Sequence, residues 1–175
     1  DRIIGSGVRV LKIEGRARSA EYVHIVTECY NEALKAVADG TYSPDKTTEW
    51  TERLSTVFNR GFWEGYYLGR KTGEWTNRYG SSATKKKVYI GKITNYFNRV
   101  NAAEIKLEKG DLSSGETILI TGPTTGMTEY LVGEIRDENM NPVKKALKGT
   151  TCSIKTDIFL RRSDKVFKWI DSGRG

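Results

Sequence analysis

The stretch from Lys86 to Gly126, KKVYIGKITNYFNRVNAAEIKLEKGDLSSGETILITGPTTG, narrows the possible folds more than any other part of this 175-residue chain. It consists of short runs rich in β-branched and aromatic residues, separated by turns of Gly, Asp and Ser, a composition that favours strands over helices. In Ala103, Glu104, Ile105, Lys106 and Leu107 apolar residues alternate strictly with charges. A period of two places Ala103, Ile105 and Leu107 on one face and the charges on the other, which describes a half-buried strand. The segment Lys109 to Gly115 supplies glycines for a reversal, Glu116 to Thr121 reads as the next strand, and Gly122-Pro123 ends it. Further strands are predicted near Thr128 to Ile135, Val143 to Leu147, Thr150 to Lys155 and Lys165 to Ile170, with a reversal at Asp137 to Pro142. Short strands at this spacing predict a small closed antiparallel β-barrel over residues 85–175, because closure removes exposed edges.

The first part of the chain reads differently. Val8 to Ile13 has the composition of a strand. Ser19 is suited to cap a helix from Ala20 to Ala38 that ends at Gly40, with Tyr22, Val23, Val26, Tyr30, Ala33, Leu34 and Val37 as its apolar set. A second, shorter helix is expected after Thr47 or Thr48, with Trp50, Leu54, Val57 and Phe58 at helical spacing. A strand feeding directly into a helix is half of a βα unit, and such a strand needs parallel neighbours that this chain does not supply. With no initiator Met, the expectation is a fragment of a longer protein, cut before the last strand of an α/β domain. The fold class is therefore α+β, with a strand and two helices over residues 1–70, a Gly, Ser and Thr-rich linker over residues 71–84, and the barrel beyond it. The strand is expected to be exposed, paired with another copy or packed irregularly against the helix from Ala20, and pairing with another copy would make an oligomer.

No apolar run approaches the roughly 20 residues of a spanning helix, and no secretory signal opens the chain, so the expectation is a cytoplasmic protein with no membrane partner. Cys29 and Cys152 have no Cys or His neighbours in sequence, and both are expected to be buried thiols rather than zinc ligands or a disulfide. The net charge of +7 is uneven. Residues 1–83 hold 12 Lys and Arg against 11 Asp and Glu, whereas residues 84–175 hold 17 against 11. A basic β-rich half attracts polyanions, which makes RNA a candidate partner beside the alternative of a lysine-rich solubilising surface.

The single histidine, His24, falls on the polar side of the first helix near Glu21 and Glu28, and no Ser or Cys lies in a nucleophile context. No Ser-His-Asp or Cys-His set can be assembled. Gly5-Ser6-Gly7 lacks the third glycine of a dinucleotide loop. In the β-rich half Lys85, Lys86, Lys87, Lys92 and Arg99 interleave with Tyr89, Tyr96 and Phe97. Cations that neutralise phosphate beside rings that stack bases are the ingredients of RNA binding. The alternative assigns the rings to cross-strand pairs and the lysines to edge protection.

The order of YIGKITNYF, AAEIKL and KGDLSSGETILITGPTTG, with LKIEGRARSAEYV and FNRGFWEGYYLG upstream, resembles the C-terminal region of the collagenase-like peptidases of U-class family 32. The resemblance implies that KIEGR lies at the end of the last strand of a (β/α) barrel and that the β-rich half is like the second domain of elongation factor Tu. Lys12, Glu14 and Arg16, with Asn59 and Arg60, would then sit at the barrel mouth as candidate substrate-binding residues, or as a structural ion-pair cluster; Phe62 and Trp63 would pack a domain interface. Members are described as proteases or collagenases, and several are implicated in hydroxylating tRNA or ribosomal RNA nucleosides with a suggested need for prephenate. Some relatives hold an iron–sulfur cluster in a part of the protein absent here; Cys29 and Cys152 match neither that motif nor its spacing, so no cofactor or metal is expected in this chain. The expected function is RNA docking by a non-catalytic C-terminal part whose own N-terminal barrel domain carries the chemistry. The alternatives are a substrate-recognition part of a protease and a bracing barrel. Purified chain should hydrolyse neither a collagen-derived peptide nor casein and should hydroxylate no RNA; turnover abolished by a point mutation in this chain would refute that.

Overall fold

The computed structural model describes residues 1–62 and 80–173. The chain divides into one unit of residues 1–85 and 171–175 and a second of residues 86–170. The helices come first and an antiparallel sheet follows. The segment 71–84 expected as a linker, and Trp63, fall largely or wholly outside the described residues.

In the first unit, helix α1 spans Arg2–Gly5, α2 spans Ala20–Ala38 and α3 spans Pro44–Ser55. Val8 to Ile13 is neither strand nor helix, which corrects the strand expected there. Among the described residues no strand lies beside it, so the segment has no ladder to join, and Val10 is 82 % exposed. Helix α2 ends where expected, with Gly40 at φ +69 and the Thr41 amide donating to the Ala36 carbonyl at 2.8 Å. Ser19 holds the N-cap position, but its hydroxyl makes no capping bond.

Helix α3 starts earlier than Thr47 and Thr48 predict. Ser43, not Thr47 or Thr48, caps it by accepting from the Lys46 amide at 3.3 Å, and Pro44 occupies the first turn. Cys29, Ala36 and Trp50 form the core between α2 and α3, with Ile25, Ala33 and Leu54 packed against it. Val23, Tyr30 and Leu34 are exposed, unlike the stripe expected for them, because α3 covers only a narrow line of α2. Over that line Glu32 accepts from the Trp50 indole at 2.8 Å and from Arg53 at 2.6 Å, while Glu28 bridges Arg53 and His24.

The second unit is built from β1 (Lys85–Phe97), β2 (Ala102–Leu107), β3 (Leu112–Ser113), β4 (Thr117–Gly122), β5 (Gly126–Leu131), β6 (Ile135–Arg136), β7 (Pro142–Val143), β8 (Lys145–Ala146), β9 (Thr151–Lys155) and β10 (Lys165–Asp171). Eight strands pair in the order β5-β4-β10-β1-β2-β9-β6-β7, and β3 pairs with β8 in a small separate sheet. The pairings given a register are antiparallel. The alternation read in β2 is observed: Ala103, Ile105 and Leu107 are fully buried, alongside Ile90, Ile93, Ile118, Ile120 and Ile154 in one core. Leu112 and Ala146 of the small sheet close onto the same core. The sheet curls, since the Tyr130 hydroxyl on β5 donates to the Lys155 carbonyl on β9 although four strands separate them in the order.

Two close approaches fix this curvature. A Cβ at Gly91 would sit 2.1 Å from the Lys106 carbonyl oxygen, and one at Gly122 would sit 1.8 Å from Oδ1 of buried Asp164. Across the small sheet, Lys168 reaches Asp111 at 2.6 Å and Glu116 at 2.8 Å, and Lys145 pairs with Asp111 at 2.5 Å. Lys145 and then Lys168 hold the Asp111 carboxyl down at about 2.

Gly91→Ala should destabilise the chain by about 1–3 kcal/mol through backbone overpacking, read as a lower urea midpoint. Asp111 has a depressed folded pKa, so its stabilisation is present above the ordinary carboxylate range near 4 and is lost as pH falls toward about 2. Asp111→Asn should therefore remove stability at neutral pH and flatten that acid limb of a melting-temperature profile; an unchanged limb would show that the pairing contributes nothing.

Candidate nucleic-acid interface

The basic and aromatic residues singled out on β1 separate into two groups. Toward its start, Lys87 lies over the Phe167 ring at 5.1 Å and Tyr89 meets the same ring edge-on at 5.5 Å. The Tyr89 hydroxyl donates to Glu108 at 2.6 Å, and Lys92 pairs with the other oxygen of Glu108 at 2.9 Å. The hydrogen bond to Glu108 is the main cause that pushes the Tyr89 phenol up to about 12, so it remains a neutral donor there. Tyr89 and Lys92 are therefore engaged in a cross-strand cluster. Lys85 also has interactions of its own, whereas Lys86 is exposed.

Tyr96 and Arg99 stand at the other end of β1, where a more open arrangement begins. Tyr96 donates to the Thr156 carbonyl at 3.1 Å and packs edge-on against Phe159 at 5.1 Å. Phe159 is 52 % exposed, and the Arg161 guanidinium lies 5.2 Å from its ring centre. Tyr96, Phe159 and Arg161 line a cleft of about 540 Å³ together with Thr94, Asn95, Glu104 and Arg162. A second groove of about 590 Å³ is lined by Arg99, Asn101, Tyr130, Lys155, Thr156 and Asp157, and Thr156 connects it to the first through Tyr96. Arg99, Lys155 and Arg162 make no ion pair among the described residues.

The loop that presents Phe159, Arg161 and Arg162 is anchored from below. Asp164 is buried, and its carboxylate accepts from the Thr125 hydroxyl at 2.5 Å and from the Arg161 amide at 2.8 Å. Its backbone carbonyl accepts from the Ile93 amide at 2.8 Å, tying the loop to β1. Sequence reasoning missed Phe159, Arg161, Arg162 and Lys155. The available signal was DIFLRRSD, an exposed aromatic and two arginines between two strands, far in sequence from the lysines of β1 but adjacent in the sheet.

The first-unit candidates have other surroundings. Lys12, Glu14 and Arg16 are exposed, and Glu14 accepts from the Arg16 backbone amide at 2.6 Å. Asn59 turns the chain after α3 by donating to the Ser55 and Val57 carbonyls and accepting from the Gly61 amide. Arg60 lies 6.0 Å from the Phe58 ring, which Arg18 covers at 4.2 Å. Both cysteines are free and buried, in separate cores. Burial pushes the Cys152 thiol up to about 12 and raises that of Cys29, so neither is a ready thiolate ligand. An iron–sulfur cluster does not fit these two residues, and among the described residues no three His, Cys, Asp or Glu side chains are placed to hold a metal.

Residues 1–77 match the family model for Peptidase family U32. The chain is 51 % identical over 169 residues to a collagenase of Porphyromonas gingivalis, covering 97 % of this chain and 41 % of that protein. It is 26 % identical over 122 residues to tRNA hydroxylation protein P of Haemophilus influenzae, covering 69 % of this chain and 26 % of that protein. The solved C-terminal domain of a U32 peptidase from Geobacillus thermoleovorans superposes with a TM-score of 0.44 at 17 % identity, over 46 % of this chain and 91 % of that one. The chain thus spans less than half the length of the collagenase it matches. The match over residues 1–77 and the 51 % identity to a collagenase over 97 % of this chain make peptidase family U32 the family that this chain resembles.

Proposed function

We propose that this chain is the C-terminal, non-catalytic part of a U32 protein and that its β unit docks tRNA or ribosomal RNA for nucleoside hydroxylation carried out elsewhere in the whole protein. The observation that carries the reading is the group of Arg99, Lys155, Arg161 and Arg162 around Tyr96 and Phe159. None of these four cations has an ion-pair partner among the described residues, and Phe159 offers a ring to solvent. Phosphate contact releases counterions and ring stacking adds sequence-tolerant affinity. The name of the tRNA hydroxylation relative supports the same reading. In it the curled sheet is a closed barrel that presents the cleft, the partner is cytoplasmic RNA, and the remaining lysines of β1 add long-range attraction.

A second reading is favoured by the collagenase relative: a domain that recognises protein substrate for a protease. The two differ in salt dependence. With about four phosphate contacts, the logarithm of tRNA affinity should fall against the logarithm of salt with a slope of about −3. The double variant Arg161→Ala, Arg162→Ala should lower the slope by about 2 and weaken binding at moderate salt, while Lys92→Ala, whose partner is Glu108, should change it little. Failure of the chain to bind tRNA at low salt, with salt-insensitive binding of denatured collagen, would establish the protease reading instead.

A further inference from the structure

We infer that the cleft beside β1 and β2 accepts one unpaired nucleobase bearing an exocyclic amino group, with Glu104 as the acceptor that selects it. The inference rests on the RNA-docking reading above and adds a specificity-determining residue to it. A surface that read phosphate alone would have no use for a carboxylate among its arginines, since that carboxylate repels the ligand. Glu104 nevertheless lines the same cleft as Arg161 and Arg162, and it pairs with neither.

Its placement follows from the strand geometry. Glu104 lies on the outer face of β2, between the buried residues Ala103 and Ile105. The β1–β2 register slips between Ile93 and Asn95, leaving Thr94 as the extra residue of a bulge. From that position the Thr94 hydroxyl donates to Oε1 of Glu104 at 2.5 Å and approaches the Glu104 carbonyl at 3.3 Å. One carboxylate oxygen is thereby fixed, and Oε2 accepts no hydrogen bond among the described residues.

A nucleotide has the matching distribution of charge. Its phosphate suits Arg161 and Arg162, its ring suits the exposed face of Phe159, and an amino N–H suits the free oxygen of Glu104. Cytosine, adenine and guanine present such a group, of which the first two serve as probes below, and a carboxylate accepting from cytosine N4 is an established pairing. Uracil presents two carbonyl oxygens beside its single N3–H and would set them against the carboxylate. The cleft holds about 540 Å³, and Tyr96, locked by its bond to Thr156, bounds it with a fixed ring. In an A-form duplex the faces are stacked and the groove that presents the amino groups is deep and narrow, so the base that enters must be unpaired.

The test is fluorescence anisotropy of the whole chain with short oligocytidylate, oligoadenylate and oligouridylate at low salt. Oligocytidylate and oligoadenylate should bind at least about fivefold tighter than oligouridylate. Glu104→Gln, whose amide offers donor and acceptor alike, should bring the ratio near one. Thr94→Val, which releases the fixed oxygen, should reduce it. Arg161→Ala with Arg162→Ala should weaken all three ligands together and preserve the ratio. Equal binding of the three by the unmodified chain, or a ratio that survives in a folded Glu104→Gln variant, overturns this inference and leaves RNA docking standing. Absence of binding to every oligonucleotide and to tRNA overturns the docking reading and this inference with it.

Discussion

The contact on which the second unit depends is the approach of β1 to β2 at Gly91, where a side chain as small as methyl would collide with the Lys106 carbonyl. β1 is the longest strand and lies between β10 and β2 in the order, so its path decides where both neighbours go. Close approach at Gly91 followed by a bulge at Thr94 bends the strand within four residues, which is how a curled sheet brings core residues from distant strands together. Ile90 and Ile93 are both fully buried although they are three apart, a spacing that an undisturbed strand would divide between its faces. The same irregularity turns Thr94 toward Glu104, so the curvature of the core and the shape of the cleft have one origin.

Charge is sorted across this unit in two ways. Around the small sheet of β3 and β8, Lys168, Lys145, Asp111 and Glu116 satisfy one another, and Lys168 is only 18 % exposed. Burial opposes the charge on Lys168, but the two carboxylates outweigh it and its pKa rises. Those charges fix the small sheet against β10 and β4. In contrast, Arg99, Lys155 and Arg162 are exposed and make no ion pair among the described residues. Evenly paired lysines would have supported a solubilising surface; cations without ion pairs along two adjoining grooves, with Arg161 against Phe159, are what favours a polyanion over that alternative.

Much of the β-rich half was legible in the sequence because each strand carries its own period and each turn its own punctuation. Ala103 to Leu107 and Thr117 to Gly122 fall where alternation and glycine place them. Local signals were weaker in the helices: the Ser43-Pro44 start of α3 was overlooked in favour of two threonines, and the buried line of α2 ran through Cys29 and Ala36 rather than Val23 and Leu34. A helix's buried face is set by what packs on it, which its own periodicity does not contain. The candidate site was half legible. Tyr96 and Arg99 were read from β1, but Phe159, Arg161 and Arg162 lie about sixty residues later and reach Tyr96 only through pairing of β10 with β1.

The two kinds of name among the relatives ask different things of one surface. Collagen offers a neutral, proline-rich extended backbone, and affinity for it would come from apolar and aromatic grooves. RNA offers a regular row of negative charge with rings between, and affinity for it grows with each cation that displaces a counterion. Solvated arginines cost a neutral ligand little, so their presence alone does not exclude peptide binding. Their position bears on the choice: Arg161 lies against Phe159, Arg162 lines the same cleft, and the Arg161 backbone is pinned by buried Asp164. A loop backbone held in this way loses less freedom on binding. That gain is realised only by a ligand that uses ring and charge together, a description that fits a nucleotide better than a collagen strand.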